Sequence, residues 1–135
     1  MTHEGLPPEL ADLVERARRI RERAYAPYSS YLVGAAVRSK DGNVFVGCNV
    51  ENATYGATLC AERVAVSAMV ASGERELSAV AVFTDGAELG MPCGICRQTL
   101  VEFGQASTVI IVASPRELKT STLGALLPEP FVLRS

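Results

Sequence analysis

The chain has 135 residues, 48% of them apolar and 21% charged, a balance that excludes disordered and fibrous classes. Its length suits one domain, 1–135, able to bury its own core without staples. A formal net charge of −2 and a pI near 5.4 argue against a nucleic-acid partner, because phosphate backbones call for a basic surplus.

The first twenty residues carry Glu4, Glu9, Asp12 and Glu15 and no apolar run. That pattern is not a secretory signal. The longest apolar stretches, Ala79–Phe83 and Val109–Ala113, are too short to cross a bilayer. The expectation is a cytoplasmic protein with no membrane partner. Reduced thiols fit that compartment better than disulfides, and the spacing of Cys48, Cys60, Cys93 and Cys96 then carries the information.

In chain order, Leu10, Leu13, Val14, Ala17 and Ile20 fall on one face at helical spacing, with Pro7 and Pro8 suited to the first turn. The arginines of the other face alternate with acids, as on a solvated surface. His3, the lone histidine, is expected in a mobile end. Pro27 breaks the helix. Strands are expected at Tyr31–Arg38 and Asn43–Val50, joined by a hairpin turn with Asp41-Gly42 at its centre. Thr58–Ser72 is apolar nearly all round and predicts a buried helix, stopped by Gly73. Ala79–Phe83 reads as a buried strand, Cys93 to about Gly104 as a helix, and Val109–Val112 as another buried strand. A short helix over Thr122–Leu127 precedes a final strand or tail at Pro130–Leu133. Strand-helix-strand units behind a hairpin predict an α/β fold with a mixed, partly parallel sheet covered by helices.

The chemistry gathers at helix starts. Cys60 and Glu62 open one helix; Cys93 and Cys96 open the next. Free N–H groups and the helix dipole favour thiolates there. Three thiolates hold a zinc ion with its fourth position open, the pattern of a catalytic site. Their charge outweighs that of the dication, so compensation is needed. Arg63, three residues from Cys60, and Arg97, four from Cys93, lie on the helical faces of those ligands, and one or both are expected to donate to sulfur. Glu62 is the nearest acid and the natural proton carrier. Residues two apart on a helix point to opposite sides, so Cys60 is expected at the cap.

Other readings remain at this point. Cys93 and Cys96 alone suit a redox pair. Cys48 as a fourth ligand would make a structural zinc knuckle. Cys48 is better explained as a buried small hydrophobe, on a face shared with Val44 and Val46. A redox pair leaves Cys60 and Glu62 unexplained.

Cys60-Ala61-Glu62 followed by Pro92-Cys93 and Cys96 resembles the signature of the zinc-dependent nucleoside and nucleobase deaminases. The three-cysteine version resembles the small cytidine deaminases. Tyr25–Ala36 is similar to that family's first strand and its approach, Gly47–Gly56 to its substrate loop, and Pro92–Gln98 with Glu102 and Phe103 to its second zinc segment. The likeness runs in order from Tyr25 to Phe131.

The resemblance implies a five-stranded sheet in a three-layer sandwich. It implies one zinc per chain on Cys60, Cys93 and Cys96, with Glu62 moving protons during hydrolytic loss of ammonia from cytidine or deoxycytidine in pyrimidine salvage. The Ala61 N–H would hold the pyrimidine, and Asn49 and Glu51 would bind ribose. Spacing agrees with the last pair, since residues two apart on a strand face the same way. Tyr31 stands where the family usually has Phe against the base. Phe131 resembles an aromatic that reaches a neighbouring subunit's site, and a homotetramer with sites near its interfaces is expected. A blasticidin S-type deaminase is the nearest enzymatic alternative; Asn49, Glu51 and Arg63 favour cytidine.

Overall fold

A computed structural model describes residues 5–133; His3 lies outside them. The elements run α1 (Pro8–Arg21), β1 (Gly34–Ser39), β2 (Val44–Cys48), a 3-10 turn (Tyr55–Ala57), α2 (Ala61–Ala71), β3 (Leu77–Phe83), α3 (Gly94–Phe103), β4 (Val109–Ala113), β5 (Leu118–Thr122) and α4 (Leu123–Leu126). The strand order is β2-β1-β3-β4-β5. Only β3 and β4 pair in parallel; the other neighbours are antiparallel.

Alternation along the strands builds two cores. Ala36, Ala79, Ala81, Phe83 and Ile111 pack against Leu13, Val14 and Ala17 of α1. Ala35, Val37, Val80, Val82, Ile110 and Val112 pack on the opposite face with Ala65, Val66 and Met69 of α2 and Leu100 of α3. The result is an α/β three-layer sandwich. Among the described residues, no helix is long and apolar enough to cross a membrane.

Glycine sets how close the helices come. A Cβ on Gly47 would lie 2.5 Å from the Ala65 nitrogen and 2.6 Å from the Ala61 carbonyl oxygen. The first turns of α2 therefore rest directly on β2. Gly34 does the same under α1, where a Cβ would meet the Ala17 carbonyl oxygen at 2.0 Å.

Several boundaries differ from the sequence expectations. β1 begins at Gly34 rather than Tyr31, because the Asn49 side chain takes the Val33 N–H and the Tyr31 carbonyl in place of a ladder partner. α2 begins at Ala61 rather than Thr58, because Leu59 pairs its backbone with Val50. The fifth strand is Leu118–Thr122, before the short helix; Pro130–Leu133 forms none. Its Lys-Thr-Ser-Thr run has no apolar alternation, which an edge strand does not need. Val44, Val46 and Cys48 do share a face, opposite Arg38, Ala36 and Gly34. On this edge strand that face is incompletely covered, so Cys48 is half-buried rather than buried.

Gly47→Ala should cost about 1–3 kcal/mol, the usual range for overpacking, by urea unfolding. Gly56→Ala, where a Cβ meets nothing within 4 Å, should stay within about 0.5 kcal/mol. Equal losses would contradict the close-contact role of Gly47.

Candidate active site

The register aligns one end of the sheet. Gly34 sits beside both Cys48 and Phe83, and Phe83 beside Ala113. The segments entering β1 and leaving β2, β3 and β4 therefore emerge together, and α2 and α3 begin there. Asn49–Glu51 is clamped from both sides. Tyr25 donates its N–H to the Asn49 carbonyl at 3.0 Å, and Glu51 donates its own to the Tyr25 carbonyl at 2.9 Å. Val50 and Leu59 exchange both backbone bonds at 2.9 Å. That antiparallel bridge closes the intervening loop and sets Asn49 opposite Cys60 and Glu51 opposite Thr58.

Cys60 is the N-cap of α2 and Cys93 the N-cap of α3. Cys96 follows in the first turn of α3 and is fully buried. The cap position lets Cys60 and Glu62 serve one site although they lie two residues apart. The three sulfurs all lie within 4.8 Å of one another. Zn–S bonds of about 2.3 Å in a tetrahedron place sulfurs about 3.8 Å apart, a spacing compatible with the cluster. Cys48 is not part of it.

The electrostatics suit a cation. Cys60 is drawn down to about 5, chiefly by the hydrogen bond from Cys96 and then by Arg63. Cys96 is pushed up, because it keeps the proton it shares with Cys60 and because it is buried beside Glu62. A dication displaces that shared proton. Arg63 donates to the Thr58 carbonyl at 2.9 Å and lies 3.9 Å from the Cys60 sulfur.

Arg97 departs from its expected role. Its hydrogen bonds go to the Pro92 carbonyl at 2.7 Å and the Leu126 carbonyl at 2.8 Å, and none goes to sulfur. It ties the start of α3 to the end of α4.

Glu62 is 5% exposed. Burial pushes its carboxyl up to about 6, and the Cys60 charge adds to the rise; its own backbone N–H opposes it. A carboxyl in that range exchanges protons readily near neutral pH.

These groups line a cavity of about 260 Å³. Cys60, Glu62 and Cys93 line it together with Ala61, Tyr31, Asn49, Glu51 and Met91. Asn49 and Glu51 also organise the chain entering β1. Glu51 accepts the Tyr28 N–H at 2.9 Å, the Ser29 N–H at 3.1 Å and the Ser29 hydroxyl. The Ser29 hydroxyl, with both N–H groups, holds its carboxyl below the usual range. Ser29 and Thr58 escaped the sequence reading as site residues; Ser29 lies inside the Tyr25–Ala36 segment, and Thr58 between the Gly47–Gly56 and Cys60–Glu62 segments. Phe131 lies outside this cavity, 71% exposed. Its backbone pairs with the Gln98 side chain at 2.8 and 3.2 Å.

Residues 8–113 match the model of the family described as the cytidine and deoxycytidylate deaminase zinc-binding region. A cytidine deaminase of Halalkalibacterium halodurans is 42% identical over 120 residues, covering 88% of this chain and 91% of that protein. One from Mycobacterium tuberculosis is 44% identical over 110 residues, covering 82% and 80%. The crystal structure of a Burkholderia pseudomallei cytidine deaminase superposes with a TM-score of 0.86 at 41% identity, covering 97% of this chain and 100% of that one. A site of three thiols at two helix N-termini beside a buried carboxyl, together with these likenesses, shows that the chain belongs to the cytidine and deoxycytidylate deaminase zinc-binding family.

Proposed function

We propose that the chain, as a single domain, catalyses the hydrolytic deamination of cytidine and deoxycytidine. The observation that carries this reading is one cavity lined both by Glu62 with Cys60 and Cys93 of the thiol cluster and by Asn49 and Glu51. Groups suited to the reaction and groups suited to a sugar thus share one cavity. Cys60, Cys93 and Cys96 would hold the zinc. Bound there, zinc supplies Lewis-acid activation of water at neutral pH.

The chain's own groups handle the rest. Water adds its oxygen to C4, the C4–amino bond breaks, and uridine or deoxyuridine and ammonia leave. Glu62 accepts water's two protons in turn: it passes the first to ring N3, and it takes the second from the new C4 hydroxyl and delivers it to the departing amine. Ala61 opens α2, so its N–H has no intrahelical acceptor and is free to hold the pyrimidine. The remaining valences suit a sugar. Glu51 already accepts three hydrogen bonds of the roughly four a carboxylate takes. Asn49 keeps one donor and one acceptor after serving Val33 and Tyr31. A fixed carboxylate also disfavours a phosphate, so a free nucleoside fits better than a nucleotide.

Arg63 neutralises thiolate charge. Phe131, exposed and remote from its own cavity, suits contact with a neighbouring subunit's site in a homotetramer. The setting we infer is cytoplasmic pyrimidine salvage.

Glu62→Gln should keep zinc and lower kcat on cytidine by at least about 10³-fold, within the range for a lost acid–base group. The fall in ultraviolet absorbance on conversion to uridine reads this out. Unchanged turnover would remove Glu62 from the reaction. Arg63→Gln should weaken zinc retention against a chromogenic chelator by about 10-fold or more, whereas Arg97→Gln should instead loosen α4. Equal zinc loss in both would contradict the division of roles between the two arginines.

A further inference from the structure

Tyr31 lines the cavity and stands where a phenylalanine is usual, so its hydroxyl has to be accommodated. Its surroundings show how. A Cβ on Gly90 would lie 2.5 Å from the Tyr31 hydroxyl oxygen, and one on Gly86 would lie 3.0 Å from its ring carbon Cε1. Neither glycine has the positive φ found at Gly5, Gly42 and Gly73. The backbone therefore does not demand glycine at either position; the space does.

The loop carrying both glycines is fixed at each end. Gly90 donates its N–H to the Thr84 hydroxyl oxygen at 3.2 Å. Arg116, in the β4–β5 turn, pairs with Asp85 at 3.0 Å and donates to the Gly86 carbonyl. The backbone of Tyr31 is fixed as well. Its N–H donates to the Ser29 hydroxyl at 3.0 Å, and its carbonyl accepts from Asn49 at 2.8 Å. The aromatic side chain is thus held at its root by Ser29 and Asn49 and at its tip by the loop that runs on to Met91 and Cys93.

We propose that Gly86 and Gly90 form a notch that seats the tip of Tyr31, which makes them positioning residues for the ring beside the nucleobase. This rests on the reading of the cavity as a nucleoside site. Tyr31 and Gly90 are a matched pair: the hydroxyl occupies the volume that any side chain at position 90 would take. The notch couples the orientation of the ring to the segment carrying Cys93 and Cys96. Its loss should weaken substrate binding more than turnover.

A double-mutant cycle tests this. A Cβ at position 90 would also lie 2.6 Å from Thr84 Cγ2, so the cycle is run in a Thr84→Ser host, which keeps the hydroxyl that accepts the Gly90 N–H. Gly90→Ala should raise KM for cytidine about tenfold when Tyr31 is present and about twofold in the Tyr31→Phe background, a coupling normal for residues in contact. The change in kcat from Gly90→Ala should stay below about threefold. Amide hydrogen exchange over residues 84–91 should speed up in Gly90→Ala and return toward the host rate in the double variant. That second readout needs no turnover, so an unmutated chain inactive on cytidine would defeat the functional reading while exchange still decides on the notch. Equal effects of Gly90→Ala on exchange with and without the Tyr31 hydroxyl would overturn it.

Discussion

Three sulfurs cannot be crowded together as thiolates unless positive charge meets them. Two helix N-termini and one arginine do so here. Cys60 and Cys93 cap α2 and α3, each end worth up to about half a positive charge, and Arg63 lies against the Cys60 sulfur. The rest of the fold is arranged so that those two helix ends meet. The register sets the starts and ends of the strands level, and Gly47 lets α2 rest on β2. The Val50–Leu59 bridge then brings the cap of α2 beside the segment leaving β2.

The same economy appears elsewhere along the cavity wall. Asn49 and Glu51 hold the chain entering β1 and still keep hydrogen-bonding capacity facing the cavity. A group that is already hydrogen-bonded loses little side-chain freedom when a ligand arrives, which is the physical content of preorganisation. Glu62 is the opposite case. Burial costs its charged form, and that cost brings its carboxyl into the range where protons exchange readily near neutral pH.

Much of this was legible in the sequence because apolar periodicity reports burial. The Leu13, Val14 and Ala17 face of α1 and the apolar runs of β3 and β4 pack as their spacing implies. The cap position of Cys60 followed from the opposed directions of neighbouring helix residues. β5 was not legible, because a polar edge strand is defined by its partner β4 and not by its own residues. Spacing put Arg97 on the face of Cys93, yet its guanidinium bonds to the carbonyls of Pro92 and Leu126. Helical spacing fixes a face, whereas the acceptor on that face is a tertiary fact. The clamping of Tyr28–Val33 by Asn49 and Glu51 joins segments some twenty residues apart and left no local signal.

The central claim is that two helix N-termini build a three-sulfur zinc site with one position left for chemistry. Zinc-edge X-ray absorption on the purified, metal-replete protein tests it most directly. One zinc per chain, with three sulfur neighbours at about 2.3 Å and one lighter neighbour at about 2.0 Å, is the result this account predicts. Four sulfur neighbours, or no stoichiometric zinc, would contradict it.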